Sequence, residues 1–540
     1  MKKEGIKKMN KRLKLLIMIL IAVVQFSFIT NISAINVNNT TLTGDSSYKY
    51  ITDQGTITVN NVDASDSLKA YKILDVYYNS QTNTIKYDFT TSFRNFLNTY
   101  ASDTTSVVYT ELYDTTKNEF SVDKYLALTS GSTNGSSQSP SSTLDQIMSL
   151  FANYSTLPTA NNLTVSNGSA VSGNLDVGTY FVYPDSSTKI YAVMVGNIEE
   201  KVFDGNWSVQ NAIINAKATE ATVNKTAGKD YATKASEASY GVGETYTNYI
   251  DIVVPQYPTN APQANKTLSV SETINTDHFN YDPSSLVVKD GGNSGTQLTV
   301  EYDSTNHTGT VKNGSNETVA TFGVSTSGNT DTLSFIFDIS KINSTNVLIS
   351  YEGSLANGAV RGGTSGNPST ATLTYVKDVY ATSPQSAIAS STSTVYTYDL
   401  KIVKRDGSDN TIKLNGATFK LCTTQACSNA NEVVQDNITT ATVSSENGVA
   451  SILGVAEGTY YLIETQAPAG YNLTAPIPVT VARTDGAEQT INVDDVKASG
   501  LPFTGGMGTI IYTLAGVAVV LIVSIIFIVY KRKKDKDNQR

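Results

Sequence analysis

Apolar and polar residues alternate in short runs along most of this chain. Ile57-Thr58-Val59 and Ile250-Asp251-Ile252-Val253-Val254 are typical, and the pattern recurs over Leu68–Tyr78, Thr370–Tyr375 and Tyr398–Lys404. A period of two places every second side chain on one face, which predicts half-buried β-strands. One stretch keeps a different period. From Thr143 to Tyr154, the residues Leu144, Ile147, Met148, Phe151 and Tyr154 fall on one face at helical spacing. That predicts an amphipathic helix, entered through a Ser/Gly-rich loop at residues 130–142. Further strands are predicted over Gly416–Leu421, Gly458–Glu464 and Ile491–Val496. The fold class is therefore all-β, a series of β-sandwiches with a minor helix in the first domain.

Two apolar runs are too long for this pattern, and both lie at chain ends. Seven Lys and Arg residues between Lys2 and Lys14 precede an apolar stretch, Leu15–Ile29, and the small-residue exit Ile32-Ser33-Ala34. This is the layout of a secretory signal peptide, residues 1–34, with cleavage expected after Ala34. At the other end, Leu501-Pro502-Phe503-Thr504-Gly505 is followed by an apolar run, Thr509–Tyr530, and the basic cluster Lys531-Arg532-Lys533-Lys534. About 20 apolar residues span a bilayer, and the cations beyond them mark the cytoplasmic side. Residues 501–540 thus combine a pentapeptide, a transmembrane helix and a basic tail, and in that order they resemble the wall-sorting signals of sortase substrates in Gram-positive bacteria.

Charge changes the picture for the part in between. With the basic residues of both ends set aside, residues 35–504 carry 26 basic against 45 acidic side chains. An acidic exported chain lacks the positive surface that nucleic acids require. Composition and punctuation suggest three domains, at 35–217, 218–382 and 395–497, with a Ser/Thr-rich linker at 383–394. Only two cysteines occur, Cys422 and Cys427. They could close a local disulfide across a loop, but they cannot form the framework of so long a protein. The chain presents no metal-ligand set, no cofactor fingerprint and no nucleophile–base constellation of an enzyme.

The last domain resembles the collagen-adhesin B-type immunoglobulin-like domains of Gram-positive surface proteins. The resemblance rests on Lys404-Arg405-Asp406, Gly416-Ala417-Thr418-Phe419 and the string from Tyr460 to Tyr471, which reads YYLIETQAPAGY and matches the pilin E-box. It implies a spontaneous amide bond between Lys404 and an acidic or amide residue of the last strand, promoted by Glu464. Asp495 is the expected partner, with Asp494 and Asn492 as rivals. The middle region resembles the central domain of pilus shaft proteins, which implies a second bond from Lys225 to Asn367, promoted by Glu272. The segment Trp207–Lys217 is similar to a degenerate pilin motif, which implies that Lys217 is the amine joined to Thr504 of another subunit.

Taken over the whole chain, the resemblance is to the backbone pilins of sortase-assembled pili, with tandem immunoglobulin-like β-sandwich domains. It implies a structural role, not an enzymatic one. The implied partners are a pilin-polymerising sortase, a housekeeping sortase, further copies of this chain, minor pilins, peptidoglycan and a host surface ligand, without cofactor or metal. The alternatives are a singly anchored adhesin or a minor basal or tip pilin.

Overall fold

The computed structural model describes residues 31–32, 35–129, 142–187, 189–203, 206–257, 261–377, 379, 384–428, 432–433, 441–442, 447–483, 488–498 and 507–537. By its contacts the chain falls into two compact units. The first comprises residues 1–238, 245–356 and 368–394, and the second 239–244, 357–367 and 395–540. Among the described residues strands dominate both, as tandem immunoglobulin-like β domains.

The first unit opens around a long central strand, β1 (Ser67–Asn79). Its two faces enter different cores. Leu68, Ala70 and Val76 join Ile57, Val59 and Val182 on one side. Tyr71, Ile73 and Leu74 join Phe93, Phe96 and Phe151 on the other. A strand covered on both faces reads as a nearly continuous apolar run. The second core is capped by helices α1 (Thr91–Asn98) and α2 (Ser142–Ala152). Thr90 starts α1 by accepting the Phe93 N–H through its side chain, the usual N-cap device. In α2, Leu144, Ile147, Met148 and Phe151 of the predicted face are wholly buried, while Tyr154, its fifth member, lies just past the helix end and is half-buried. Strand β2 (Gly178–Ser186) then pairs antiparallel with β1, Phe181 opposite Tyr71.

The rest of the first unit is built on two further sheets. Strands β3 (Thr222–Gly228), β4 (Tyr246–Val253) and, further along, β7 (Asn346–Leu355) are neighbours in a six-stranded sheet. Between them in sequence come β5 (Thr267–Asn275) and β6 (Thr330–Asp338), which pair in an eight-stranded sheet with β8 (Asn367–Val376). The stretch expected as a linker is instead a strand of that sheet, β9 (Ser386–Tyr396), lying beside β8. Its Ser and Thr side chains suit a pleated surface as well as a loop, and Ala387, Ser393 and Val395 alternate inward. Small polar residues hid that alternation.

The second unit is a small sandwich. One sheet holds β10 (Tyr398–Asp406), β12 (Val449–Val455) and β15 (Glu488–Asp495), and the other holds β11 (Thr418–Cys422), β13 (Gly458–Gln466) and β14 (Ile477–Val481). Tyr398, Leu400 and Ile402 of β10 face Phe419, Leu421 and Leu462 in its core. Helix α3 (Met507–Asp537) follows, with an apolar span at 513–532 of mean hydropathy 2.8, long enough to cross a membrane.

Candidate cross-linking sites

The inner face of β10 continues past its apolar residues. Lys404 is the next inward position after Ile402, and its side chain is completely enclosed. β15 runs parallel to β10, with Val493 opposite Lys404 and Asp495 opposite Asp406. The same alternation turns Val493 and Asp495 inward and leaves Asn492 and Asp494 outside. Asp494 instead makes a two-pronged ion pair with Arg405, at 2.7 and 3.0 Å. From the facing sheet, Glu464 comes in opposite Phe419.

The result is a buried cluster of one amine and two carboxyl groups. Lys404 Nζ contacts Asp495 Oδ1 and lies 2.8 Å from Glu464 Oε1, with the Phe419 ring centre 5.7 Å away. Thr474, which the sequence reading did not single out, completes the cluster. Its N–H donates to Glu464 Oε2 at 2.7 Å and its hydroxyl bonds Asp495. The tight turn after the E-box strand makes this possible. Gly470 adopts φ +86°, a backbone conformation that favours glycine, and Tyr471 then ties back to Asp406 at 2.8 Å. One oxygen of each carboxyl, Glu464 Oε1 and Asp495 Oδ2, lacks a hydrogen bond of good angle. Two carboxyl groups and one amine enclosed together in an apolar pocket are costly to bury unless they pair with one another, as these do.

A second enclosed lysine lies in the first unit. Lys225 on β3 is fully buried, its Nζ 3.1 Å from Glu272 Oε1 of β5 and above the Tyr351 ring of β7. Burial pushes the Lys225 pKa down, against the pull of Glu272. The same burial, with the Glu272 charge, pushes the Tyr351 phenol well above its ordinary range. The hydrogen-bond partner of Lys225 Nζ is Asn248 on the neighbouring strand β4, at 2.6 Å. Asn367 is also fully buried, but its amide is engaged with the Val360 backbone on both sides, at 2.7 and 2.9 Å, and with the Val395 carbonyl at 3.0 Å.

Lys217 is of another kind. It is exposed, and follows the strands that hold Trp207 and Ile213, with its carbonyl accepting the Ala192 N–H at 2.9 Å. It lines a cavity of about 640 Å³ together with Tyr183, Tyr191, Tyr257 and Lys377. Cys422 and Cys427 form a disulfide at the end of β11, their Cα atoms 5.5 Å apart. The pentapeptide residues Leu501, Pro502, Phe503, Thr504 and Gly505 lie outside the described residues, as do residues 1–30 and 33–34. Asn31 and Ile32, just before the expected cut, pair with Ser208 and Trp207.

The domain that holds the Lys404 cluster has known counterparts. Residues 398–497 match the SpaA family of prealbumin-like fold domains. Residues 494–538 match the LPXTG cell wall anchor motif. The fimbrial subunit type 2 of Actinomyces naeslundii is 41% identical over 85 residues, which cover 14% of this chain and 16% of that protein. The chain thus matches about a sixth of the length of that curated relative. Among solved structures, the T6 backbone pilin of Streptococcus pyogenes, a modular three-domain protein, superposes with a TM-score of 0.50 at 18% identity, covering 79% of this chain and 80% of that one. The major pilin SpaD of Corynebacterium diphtheriae gives 0.45 at 16% identity, covering 83% and 98%. The T6 likeness speaks for the fold. The SpaA-type domain and the anchor motif agree with the resemblance to Gram-positive pilins read from the sequence.

Proposed function

We propose that the chain is the structural subunit of a covalent, sortase-assembled pilus, held to the cell wall through its C-terminal signal. The observation that carries the reading is the enclosed Lys404–Glu464–Asp495 cluster, in a SpaA-type domain directly ahead of an LPXTG anchor motif. Lys404 Nζ, once neutral, attacks Asp495 Cγ. Glu464 holds and relays the proton, and water leaves, joining the first and last strands of the domain by an amide. Folding supplies the proximity that makes so slow an acylation feasible. In the first unit, Lys225 and Glu272 take the same two roles. Such bonds let a thin fibre bear load with a single disulfide per subunit.

Assembly uses the other lysine. A sortase thiol attacks the Thr504 carbonyl, releases Gly505 and the membrane segment, and the amine of Lys217 in another subunit resolves the acyl-enzyme. Lys217 suits this role because it is exposed, whereas Lys225 and Lys404 are enclosed and suit internal chemistry. The test is an immunoblot of boiled cell-wall extracts. The native chain is expected to give a high-mass ladder, and Lys217→Ala a wall-bound monomer without one. A single band from the native chain would instead mean a singly displayed adhesin, and an unchanged ladder from Lys217→Ala would remove that lysine from the reading.

A further inference from the structure

We propose that Asn248, on the strand next to Lys225, is the acyl partner of the buried lysine in the first unit, and that the cross-link joins neighbouring strands β3 and β4. This deepens the cross-linking reading above in one respect: it changes which residue supplies the carbonyl. The sequence pointed to Asn367, but geometry favours the residue that the amine already touches. Lys225 lies opposite Ile250 in the β3–β4 ladder, so Asn248 is its diagonal neighbour two residues on and shares its face.

Three observations carry the assignment. First, Lys225 Nζ is 2.6 Å from Asn248 Oδ1. A carbonyl bond is about 1.2 Å long, so Asn248 Cγ is at most about 3.8 Å from the amine, close to the roughly 3–3.5 Å of an attacking pair. Second, Glu272 is fully buried beside the amine and the Tyr351 phenol, with Oε1 3.1 Å from the same nitrogen. An acid so placed takes the proton of the ammonium and returns it to the leaving group. Third, residue 353 on β7, two residues along from Tyr351, is a glycine. A Cβ there would sit 2.9 Å from Asn248 Nδ2, so the missing side chain leaves space beside the nitrogen that must depart.

The step balances without an outside reagent. Lys225 passes a proton to Glu272, and the neutral Nζ adds to Asn248 Cγ. A proton moves through Glu272 from Nζ to Nδ2, the Cγ–Nδ2 bond breaks, and ammonia leaves as the Cγ–Nζ amide forms. Asn367 retains a structural part, since its amide oxygen and both amide hydrogens are occupied by backbone groups.

The experiment is a tryptic map of the reduced full-length chain, purified in detergent from cells lacking sortase. Trypsin cannot cut at an acylated lysine, so the expected product is peptide 218–229 joined to peptide 235–266, lighter than their sum by one ammonia, about 17 Da. Asn248→Ala is expected to lose it and release peptide 218–225. Asn248→Asp is expected to restore the joined pair at the native mass, because loss of water from Asp and of ammonia from Asn give the same amide. Glu272→Gln is expected to leave the pair unjoined. Peptide 218–229 joined to 362–377 would overturn the assignment in favour of Asn367. Free peptide 218–225 from the native chain, or an undiminished joined pair from Asn248→Ala, would overturn it outright. None of these outcomes bears on the polymer, which the immunoblot ladder reads separately.

Discussion

Glu464→Gln isolates the proton-relay role of the second unit's cluster with little change of shape. Glutamine can still accept the Thr474 N–H that Glu464 Oε2 takes at 2.7 Å, and Lys404 keeps Asp495 beside it. What is lost is the acid proposed to move protons between the amine and the leaving oxygen. The variant is expected to fold without its cross-link, and so to show its full calculated mass, where the native protein falls short of its own by one water, about 18 Da. Lys404 and Asp495 are 91 residues apart in sequence. By analogy with a disulfide closing a loop of that size, the proposed bond would remove enough unfolded-chain entropy to stabilise the domain by about 4–5 kcal/mol. For a domain of the size of residues 398–497, at roughly 4–8 °C per kcal/mol, the melting transition of that unit should fall by roughly 20–35 °C. Intact mass after reduction and calorimetry on the same sample check both parts. A native-like mass in the variant would show that Glu464 is not the relay. A native protein at its full calculated mass would show that there is no bond to promote.

Other perturbations follow from the same structure. The N–H of Ser408, the Tyr471 hydroxyl and Lys497 hold the Asp406 carboxyl down at about 2, below its ordinary 3.8. A depressed acid stabilises the fold above its unfolded value and loses that contribution as pH falls through the folded one. Asp406→Asn should therefore flatten the loss of stability of the second unit between pH 3.8 and 2, measured by thermal melts in acid, and an unchanged profile would count against the assignment. Phe151 is fully buried in α2, its ring 5.0 Å from Phe93 and 5.3 Å from Phe96. Phe151→Ala should cost about 3–5 kcal/mol in the denaturant midpoint of the first unit, and a cost under about 1 kcal/mol would mean that the helix is not integral to that core.

Much of this was legible in the residues because it is local. The helix at Ser142–Ala152 announces itself by its spacing, and its apolar face is the face that packs. The E-box string fixes a strand, a turn and an inward Glu464 within twelve residues. Alternation along β10 puts Lys404 on the side of Leu400 and Ile402, and alternation along β15 separates Asp495 from Asp494. β9 was not legible, because its Ser- and Thr-rich sequence serves a loop and a sheet edge to edge with equal ease, and only the presence of β8 beside it decides.

The sequence by itself determined which faces of the strands turn inward, that an LPXTG anchor motif closes the chain's last domain, and that two lysines stand on inward faces. Only the tertiary structure decided what those lysines meet. A period of two tells a side chain which side of a sheet it occupies, but it carries no information about which strand lies alongside or at what register. Asn248 and Thr474 belong to the clusters because strand pairing and one glycine turn bring them there, and nothing in their own neighbourhoods marks them out. Chemistry at these sites depends on contacts of a few ångströms between residues tens of positions apart, and those are set only when the sheets close over one another.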